Sequence, residues 1–413
     1  MARTKKAPQS STPARAQSFE AQLAAAFQQF RGALTELLTA VHADPDRPQD
    51  VARKFKLDKN LTWKVSRIVN TPDSFSAVQH MPGTNGLNIL LHAFEANGAP
   101  AATVARARTS FGTVHQMVTK HLGDRGTLEI ALDGLSPGPD NERLELSRKL
   151  AFRGNSGIWG VQARVRAAVG LLAPTADSDD LVDVALVSGW VDFRRLRPDA
   201  RWRLFTARAY HDDGTSADRT EVPIEDDSNR RGKLMLIPSF CTETMPPILE
   251  TRERDAVVYE LGEGPVGNSG AFTCFCGAIN RGFASRYRDE HNTRGEFTTH
   301  ITAPAETLLF DVLVHRDLPF AMRPAFSLYG MLLANPTEYR DSDKLPIAEK
   351  IVEIGAYPPV VATALVPRYT ELVNAIYHRG NWDPRDFVGL RFMLKYPPFP
   401  STAVLAFPLL ERA

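Results

Sequence analysis

Apolar residues recur with a helical period in the first third of the chain and with a strand period in much of the rest. Between residues 18 and 41 the apolar positions fall every three or four residues, which predicts one long helix with Ser18 as its cap. That stripe fits packing on other helices or a dimer seam. Further helices are predicted at 87–96, 101–122 and 127–135, the first two ended by Gly98 and Gly123.

The segment Ser136-Pro-Gly-Pro-Asp140 is strong turn sequence, and the apolar period changes to two beyond it. Strands are predicted at 163–171, 181–193 and 201–210, joined by polar turns such as 211–214 into an antiparallel sheet, and an exposed loop is predicted at 219–232. Further strand candidates are 233–237, 256–261 and 307–315. A helix is predicted at 367–378 with Pro367 in its first position, followed by a hairpin of strands 387–396 and 402–409.

These periods predict an α+β protein with a helical N-terminal domain followed by a larger β-rich mixed domain. The expected boundaries are a disordered basic tail at 1–16, a helical domain at 17–135, and a β-rich domain at 141–413 of one or two subdomains. A chain of 413 residues exceeds the roughly 250–300 residues at which single cores stop growing.

Composition excludes several classes of protein. Apolar content of 43% and charged content of 23% are ordinary for a soluble globular protein, and no apolar run approaches the roughly 18 residues that cross a bilayer. The N-terminus is basic but lacks the apolar segment of a secretory signal. Three cysteines cannot form a disulfide framework, so a cytoplasmic setting is expected.

Charge is unevenly distributed along the chain. Residues 1–70 hold twelve basic and six acidic residues, a net charge of +6, which leaves −5 for the remainder. A basic N-terminal part on a mildly acidic body is the distribution expected when only the first part meets a polyanion.

The stretch VARKFKLDKNLTWKVSRIV, Val51 to Val69, places this charge on one helical face. A short helix at about 49–55 precedes a second helix that Asp58 caps. Leu61, Val65 and Ile68 line the inner face of the second helix. Its outer face holds Asn60, Trp63, Lys64 and Arg67, which present donors and no acid. Such a face suits phosphates and the acceptor edges of purines.

Residues 49–69 resemble the helix-turn-helix of bacterial transcription regulators. Ala52 occupies the position of the family's small residue, and KVSRIV is similar to the end of a recognition helix. The usual glycine of the turn is replaced by Lys56 or Leu57, and the spacing from Ala52 to KVSRIV is about three residues longer than in familiar members. An ordinary helical hairpin with a solvated basic face remains the alternative.

Three other groups of residues are candidates for catalysis or for binding a metal or cofactor. GEGPVG, residues 262–267, matches a dinucleotide-binding pattern but is followed by poor helix sequence, which favours a glycine-rich turn. Cys241, Cys274, Cys276 and either His291 or His300 match no common zinc spacing, which favours buried thiols. Asp311 and His315 lie too far apart on a strand for a hydrogen bond and lack a nucleophile. Trp159, Arg164 and Arg166 fit a pocket or a solvated sheet face equally.

The sequence therefore predicts a DNA-binding transcriptional regulator with a C-terminal domain that senses a ligand or oligomerises, and no enzyme, metal or cofactor. The expected partners are double-stranded DNA, a small-molecule effector and a second copy of the chain, with no membrane. The predicted DNA-contacting residues are Arg53, Lys54, Lys59, Asn60, Trp63, Lys64 and Arg67. A protein–protein scaffold and an enzyme housed in the β-rich part are the rival classes.

Overall fold

The computed structural model describes residues 18–123, 127, 130, 141–208, 221–226, 235–252, 256–290, 292–330 and 339–412. The chain divides into two compact units, Met1–Asp140 and Asn141–Ala413. Helices come first and a larger strand-rich region follows, so the predicted α+β class is confirmed. None of the helices within the described ranges is both long enough and apolar enough to span a bilayer.

The first unit is built from helices. They are α1 (Phe19–Ala40), α2 (Pro48–Phe55), α3 (Lys59–Asn70), α4 (Ser74–Val78), α5 (Thr84–Glu95) and α6 (Ala101–Leu122). Ser18 caps α1 through its hydroxyl, and Gly123 ends α6 with φ of 82°, both as predicted. Helix α5 begins three residues before its predicted start, because Gly83 rather than a later residue takes the N-cap position.

The apolar stripe of α1 lies inside this unit. Phe27 and Phe30 are fully buried, and Phe30 packs edge-on against Phe111 of α6 with ring centroids 5.6 Å apart. The stripe therefore packs on the unit's own helices, and the dimer-seam interpretation of α1 is wrong. The predicted tail at 1–16 and most of the predicted helix at 127–135 lie outside the described residues.

The second unit begins with a helix that the sequence did not predict, α7 (Asn141–Trp159). The change from helical to strand period therefore occurs at residue 160 and not at residue 140. The reason is that apolar residues lie on both sides of α7: Leu146, Leu150 and Ile158 are exposed, whereas Phe152 packs on Tyr396, so no single apolar face marks the helix in the sequence.

The described strands of the second unit form three sheets. The largest has the order β11-β12-β9-β1-β2-β7-β4, and two three-stranded sheets have the orders β10-β13-β8 and β3-β6-β5. The strands are β1 (Val161–Thr175), β2 (Ser178–Arg195), β3 (Trp202–Arg208), β4 (Glu221–Pro223), β5 (Ile248–Arg252), β6 (Ala256–Leu261), β7 (Phe272–Ser285), β8 (Arg294–Ile301), β9 (Ala305–His315), β10 (Ala325–Gly330), β11 (Val352–Ala356), β12 (Phe387–Lys395) and β13 (Ser401–Pro408).

Both faces of the seven-stranded sheet are buried. On one face Val169 and Leu171 of β1 pack beneath α8 (Tyr369–Gly380), and on the other Ala168 and Leu172 face the β10-β13-β8 sheet. Burial of both faces explains why the residues of β1 are almost continuously apolar. The sequence alone had indicated only the alternation expected of a strand with one buried face. Strands β1 and β2 pair antiparallel, as predicted, whereas β1 also runs parallel to β9, and β3, which was expected in the same sheet, lies in a different one.

The predicted hairpin at the C-terminal end is also wrong. Strands β12 and β13 enter different sheets, because β12 already bonds β9 on one side and β11 on the other, and β13 lies between β10 and β8. Neither edge of β12 is therefore free to pair with β13.

Three boundaries differ from prediction for local reasons. Helix α8 begins at Tyr369 and not at Pro367, because Arg368 takes the left-handed conformation, with φ of 54°. Residues 235–237 form one β-bridge, Leu236 with Cys276, and a 3-10 turn at Pro238–Phe240 follows, so no strand develops there. Residues 221–223 of the predicted loop form the edge strand β4. The 211–214 turn lies outside the described residues.

Candidate nucleic-acid interface

Helices α2 and α3 are joined by a three-residue turn, Lys56 to Asp58. Lys56 ends α2 in the left-handed conformation, with φ of 53° and ψ of 42°, and its N–H donates to the carbonyl of Ala52. Asp58 then caps α3, because its Oδ1 accepts from the N–H groups of Asn60 at 2.9 Å and Leu61 at 3.1 Å. Lys56 therefore has the left-handed backbone conformation that glycine adopts without strain.

The inner faces of the two helices enter the core of the first unit. Phe55 packs edge-on against Phe94 of α5 with ring centroids 4.8 Å apart. Ala52 is also buried, in agreement with its predicted inward orientation. The other buried members are Val51, Leu57, Leu61, Thr62, Val65 and Ile68. Burial of this face fixes which face of α3 is turned outward.

The outer face of α3 is basic. Lys59, Asn60 and Arg67 are exposed, Trp63 is 43% exposed, and Lys64 is half-buried. The guanidinium of Arg67 lies 5.4 Å from the ring centroid of Trp63, and His80 meets the same indole edge-on at 5.3 Å. Trp63 is therefore held between two neighbours while part of its ring remains accessible.

The two predicted contacts on α2 have partners inside the unit. Lys54 Nζ donates to the carbonyls of Val41 at 3.0 Å and His42 at 3.1 Å, which satisfies the C-terminal end of α1. Arg53 forms an exposed ion pair with Asp50 at 3.1 Å. The structure thus brings Lys59, Asn60, Trp63, Lys64 and Arg67 onto one surface and gives Lys54 a structural role.

The glycine-rich segment at 262–267 is a turn, as the sequence favoured. A 3-10 turn at Gly267–Gly270 and then β7 follow it, so no α-helix N-terminus faces the glycines. Gly262 is required by close approach, because a Cβ there would lie 2.7 Å from the backbone carbonyl oxygen of Pro247. Packing therefore accounts for the glycine pattern.

The cysteines form no metal site within the described residues. Cys274 is fully buried, and burial raises the pKa of the Cys276 thiol to about 12. Both thiols are thus protonated at neutral pH, which is the state of a packing side chain. His291, one of the two histidines considered, lies outside the described residues.

Asp311 belongs to a buried ion pair that the sequence did not reveal. Arg391 on the adjacent strand β12 donates to both carboxylate oxygens of Asp311, at 2.9 and 2.8 Å, and the Tyr369 hydroxyl donates to it at 2.9 Å. His315, at the end of β9, lies beside Asp317 and Asp386 instead. The two residues are therefore not brought together, and Asp311 serves the core.

Arg166 and Arg164 also have internal partners. Arg166 is buried, donates to the carbonyls of His300 and Gly189, and has its pKa lowered to about 10 by burial. Arg164 pairs with Asp192. Both guanidiniums are therefore bound by groups of the protein itself, whereas the sequence alone had left a pocket and a solvated sheet face as equal alternatives.

Comparisons with known proteins give little. No family model and no curated protein matches this chain. A solved structure from Parabacteroides distasonis, provisionally named a protease, aligns over 60% of this chain and 40% of its own length, with 10% identity and a TM-score of 0.25. The chain therefore spans less than half of that protein, and a likeness this distant carries no functional argument.

Proposed function

We propose that the N-terminal helical unit binds double-stranded DNA through α3 and that the chain is a transcriptional regulator of the cytoplasm. The observation that carries the proposal is the left-handed Lys56 between α2 and the Asp58-capped α3. A turn of this kind lets the second helix of a helix-turn-helix project its outer face into a major groove. Within the described part of the chain Lys59, Asn60 and Arg67 are exposed to solvent, which supports this role for the outer face of α3.

Each exposed residue of α3 has a role that follows from its chemistry. Lys59 and Asn60 occupy the first turn, the part of a recognition helix that meets base edges, and an asparagine amide can bond adenine in a bidentate manner. Lys64 and Arg67 supply cations for phosphates or guanine. Trp63, steadied by Arg67, offers its accessible edge to a thymine methyl group.

The remaining parts of the proposal concern the second unit. It senses a small-molecule effector or carries the contact between two copies of the chain, and a dimer would present two α3 helices to two half-sites. This division of roles follows the charge distribution, in which the first 70 residues carry +6 and the remainder −5.

The experiment is a salt titration of binding to a mixed-sequence duplex, followed by fluorescence anisotropy. Each phosphate contact adds about 0.9 to the negative slope of log K against log salt, so Lys64→Ala/Arg67→Ala should weaken binding and flatten the slope by about 2. The matched control is Arg108→Ala/Lys120→Ala, which removes two exposed cations from α6.

The control variant is expected to keep the wild-type slope. Equal slopes for all three proteins would mean that α3 makes no phosphate contact. If the wild-type chain bound no duplex, the proposal would fail. The scaffold interpretation, in which the basic surface contacts a protein, would then be favoured.

A further inference from the structure

Arg166 is a buried cation whose contacts in the protein are all with neutral groups. It is 8% exposed, and its guanidinium lies over the ring of Trp190, 4.7 Å from the ring centroid. Its two hydrogen bonds go to the carbonyls of His300 and Gly189. Arg164 pairs with an acid, whereas no acid among the described residues pairs with Arg166. Because buried charges in proteins are normally paired, the positive charge of Arg166 is unmatched.

Two further donors beside Arg166 have no acceptor. The indole N–H of Trp190, the ring over which the guanidinium lies, is buried without a hydrogen-bond partner. The hydroxyl of Thr299, the residue before His300, is also buried without a partner. Trp190 is 1% exposed and Thr299 is 3% exposed. Since buried polar groups are almost always satisfied, this set of donors indicates an acceptor that comes from outside the chain.

Thr299 and Arg166 face the same space from two sheets. Thr299 alternates on β8 with Phe297 and Ile301, and both of those residues belong to the core between the sheets. Arg166 lies on the face of β1 that meets this core, because alternate residues of a strand share a face and Ala168 belongs to the same core. The hydroxyl and the guanidinium therefore approach one another across the gap between the two sheets.

The sheet face beside Arg166 is partly uncovered. Ser188 and Leu186 share the face of Trp190 on β2, and within the described part of the chain Ser188 is half-buried and Leu186 is 39% exposed. Among the described strands β8 is the last of its sheet, so the cover over this face ends there. This opening gives a ligand access to Arg166, and Leu186 provides an apolar surface along it.

We propose that Arg166, Thr299 and the Trp190 indole bind the carboxylate of a small organic acid. The two carbonyls use Nε and one hydrogen of Nη1, so the end of the guanidinium can still bond both oxygens of a carboxylate. A monoanion matches the single positive charge, whereas a dianion would bring an unmatched charge into the core. The apolar part of the acid lies toward Leu186.

The carboxylate site is argued from contacts of the second unit alone and does not depend on DNA binding by α3. A carboxylate bound there would serve as the effector proposed for that unit. Binding is measured without DNA, so failure of one proposal leaves the other to its own test.

The test is calorimetric titration of the full-length chain with sodium butyrate and sodium benzoate, each compared with its neutral amide at constant ionic strength. At least one acid should bind at one site per chain, at least tenfold more tightly than its amide. Thr299→Val removes the hydroxyl and should weaken that binding about tenfold. The matched control is Thr298→Val, at the half-buried neighbour on the other face of β8, which should bind like the wild type.

Arg166→Met should abolish binding of the acid, whereas Arg164→Met, on the same face of β1, should not. Circular dichroism checks that each variant is folded. If Arg166→Met unfolds, Ser188→Asp decides, because it supplies a carboxylate from within the chain and should exclude the added acid. Failure of both acids to bind, equal binding of acid and amide, or unchanged binding in Thr299→Val and Ser188→Asp would overturn the proposal.

Discussion

Lys56 offers the most informative single substitution in the helix-turn-helix segment. Its left-handed conformation costs a residue with a Cβ about 1–2 kcal/mol, and glycine does not pay this cost. Glycine loses about 0.5–1 kcal/mol more backbone entropy on folding. Lys56→Gly is therefore expected to stabilise the α2–α3 segment by about 0.5–1 kcal/mol.

The assay is hydrogen exchange followed by mass spectrometry on peptides that cover residues 48–70. If local opening governs exchange, amides of α2 and α3 should exchange about two to five times more slowly in Lys56→Gly. Lys56→Ala is the matched control, because it removes the same charge and keeps the Cβ, and it should leave exchange close to that of the wild type.

Faster exchange in Lys56→Gly than in Lys56→Ala would refute the reasoning. It would mean that residue 56 is not left-handed in solution, and the turn that aims α3 outward would lose its basis. DNA affinity should fall equally in both variants, by the contribution of one cation at most.

Two further predictions concern the second unit. Arg391→Met leaves the Asp311 carboxylate buried without its guanidinium partner and should lower the free energy of unfolding by about 3–5 kcal/mol, which a lower thermal midpoint would show. Asp311→Leu/Arg391→Met removes both charges and should regain most of that loss. Equal midpoints for the single and double variants would contradict the pairing. Burial lowers the pKa of His315, so the unfolded chain binds its proton more readily and stability should fall as pH drops through and below about 6.5. His315→Gln should lose part of this acid sensitivity, and an unchanged pH profile of the midpoint would argue against it.

One-sided apolar patterns carried most of the successful predictions. Helices α1 and α3 were predictable because their apolar residues face one core, Phe27 and Phe30 from α1 and Leu61 and Val65 from α3. Asp58 also indicated where α3 begins, since an aspartate is a common N-terminal cap. Helix α7 was missed because Leu146 and Leu150 face outward while Arg148 and Ser156 are buried, so its sequence shows no single apolar face.

Features that depend on distant residues had no local signal. Asp311 and Arg391 stand 80 positions apart and meet only because β9 and β12 pair. The separation of β12 from β13 likewise depends on strands β9, β11, β10 and β8, which already occupy their edges. The left-handed conformation of Lys56 could not be predicted, because glycine and asparagine are the residues that indicate such a conformation in a sequence.

The central claim is that the outer face of α3 meets DNA, and photochemical crosslinking tests it most directly. A duplex with bromodeoxyuridine in place of thymidine is bound to the full-length chain, irradiated and mapped by mass spectrometry. The account predicts crosslinked peptides from residues 59–70, centred on Trp63, and their loss in Lys64→Ala/Arg67→Ala. Crosslinks confined to other parts of the chain, or none under conditions where the duplex is bound, would contradict it.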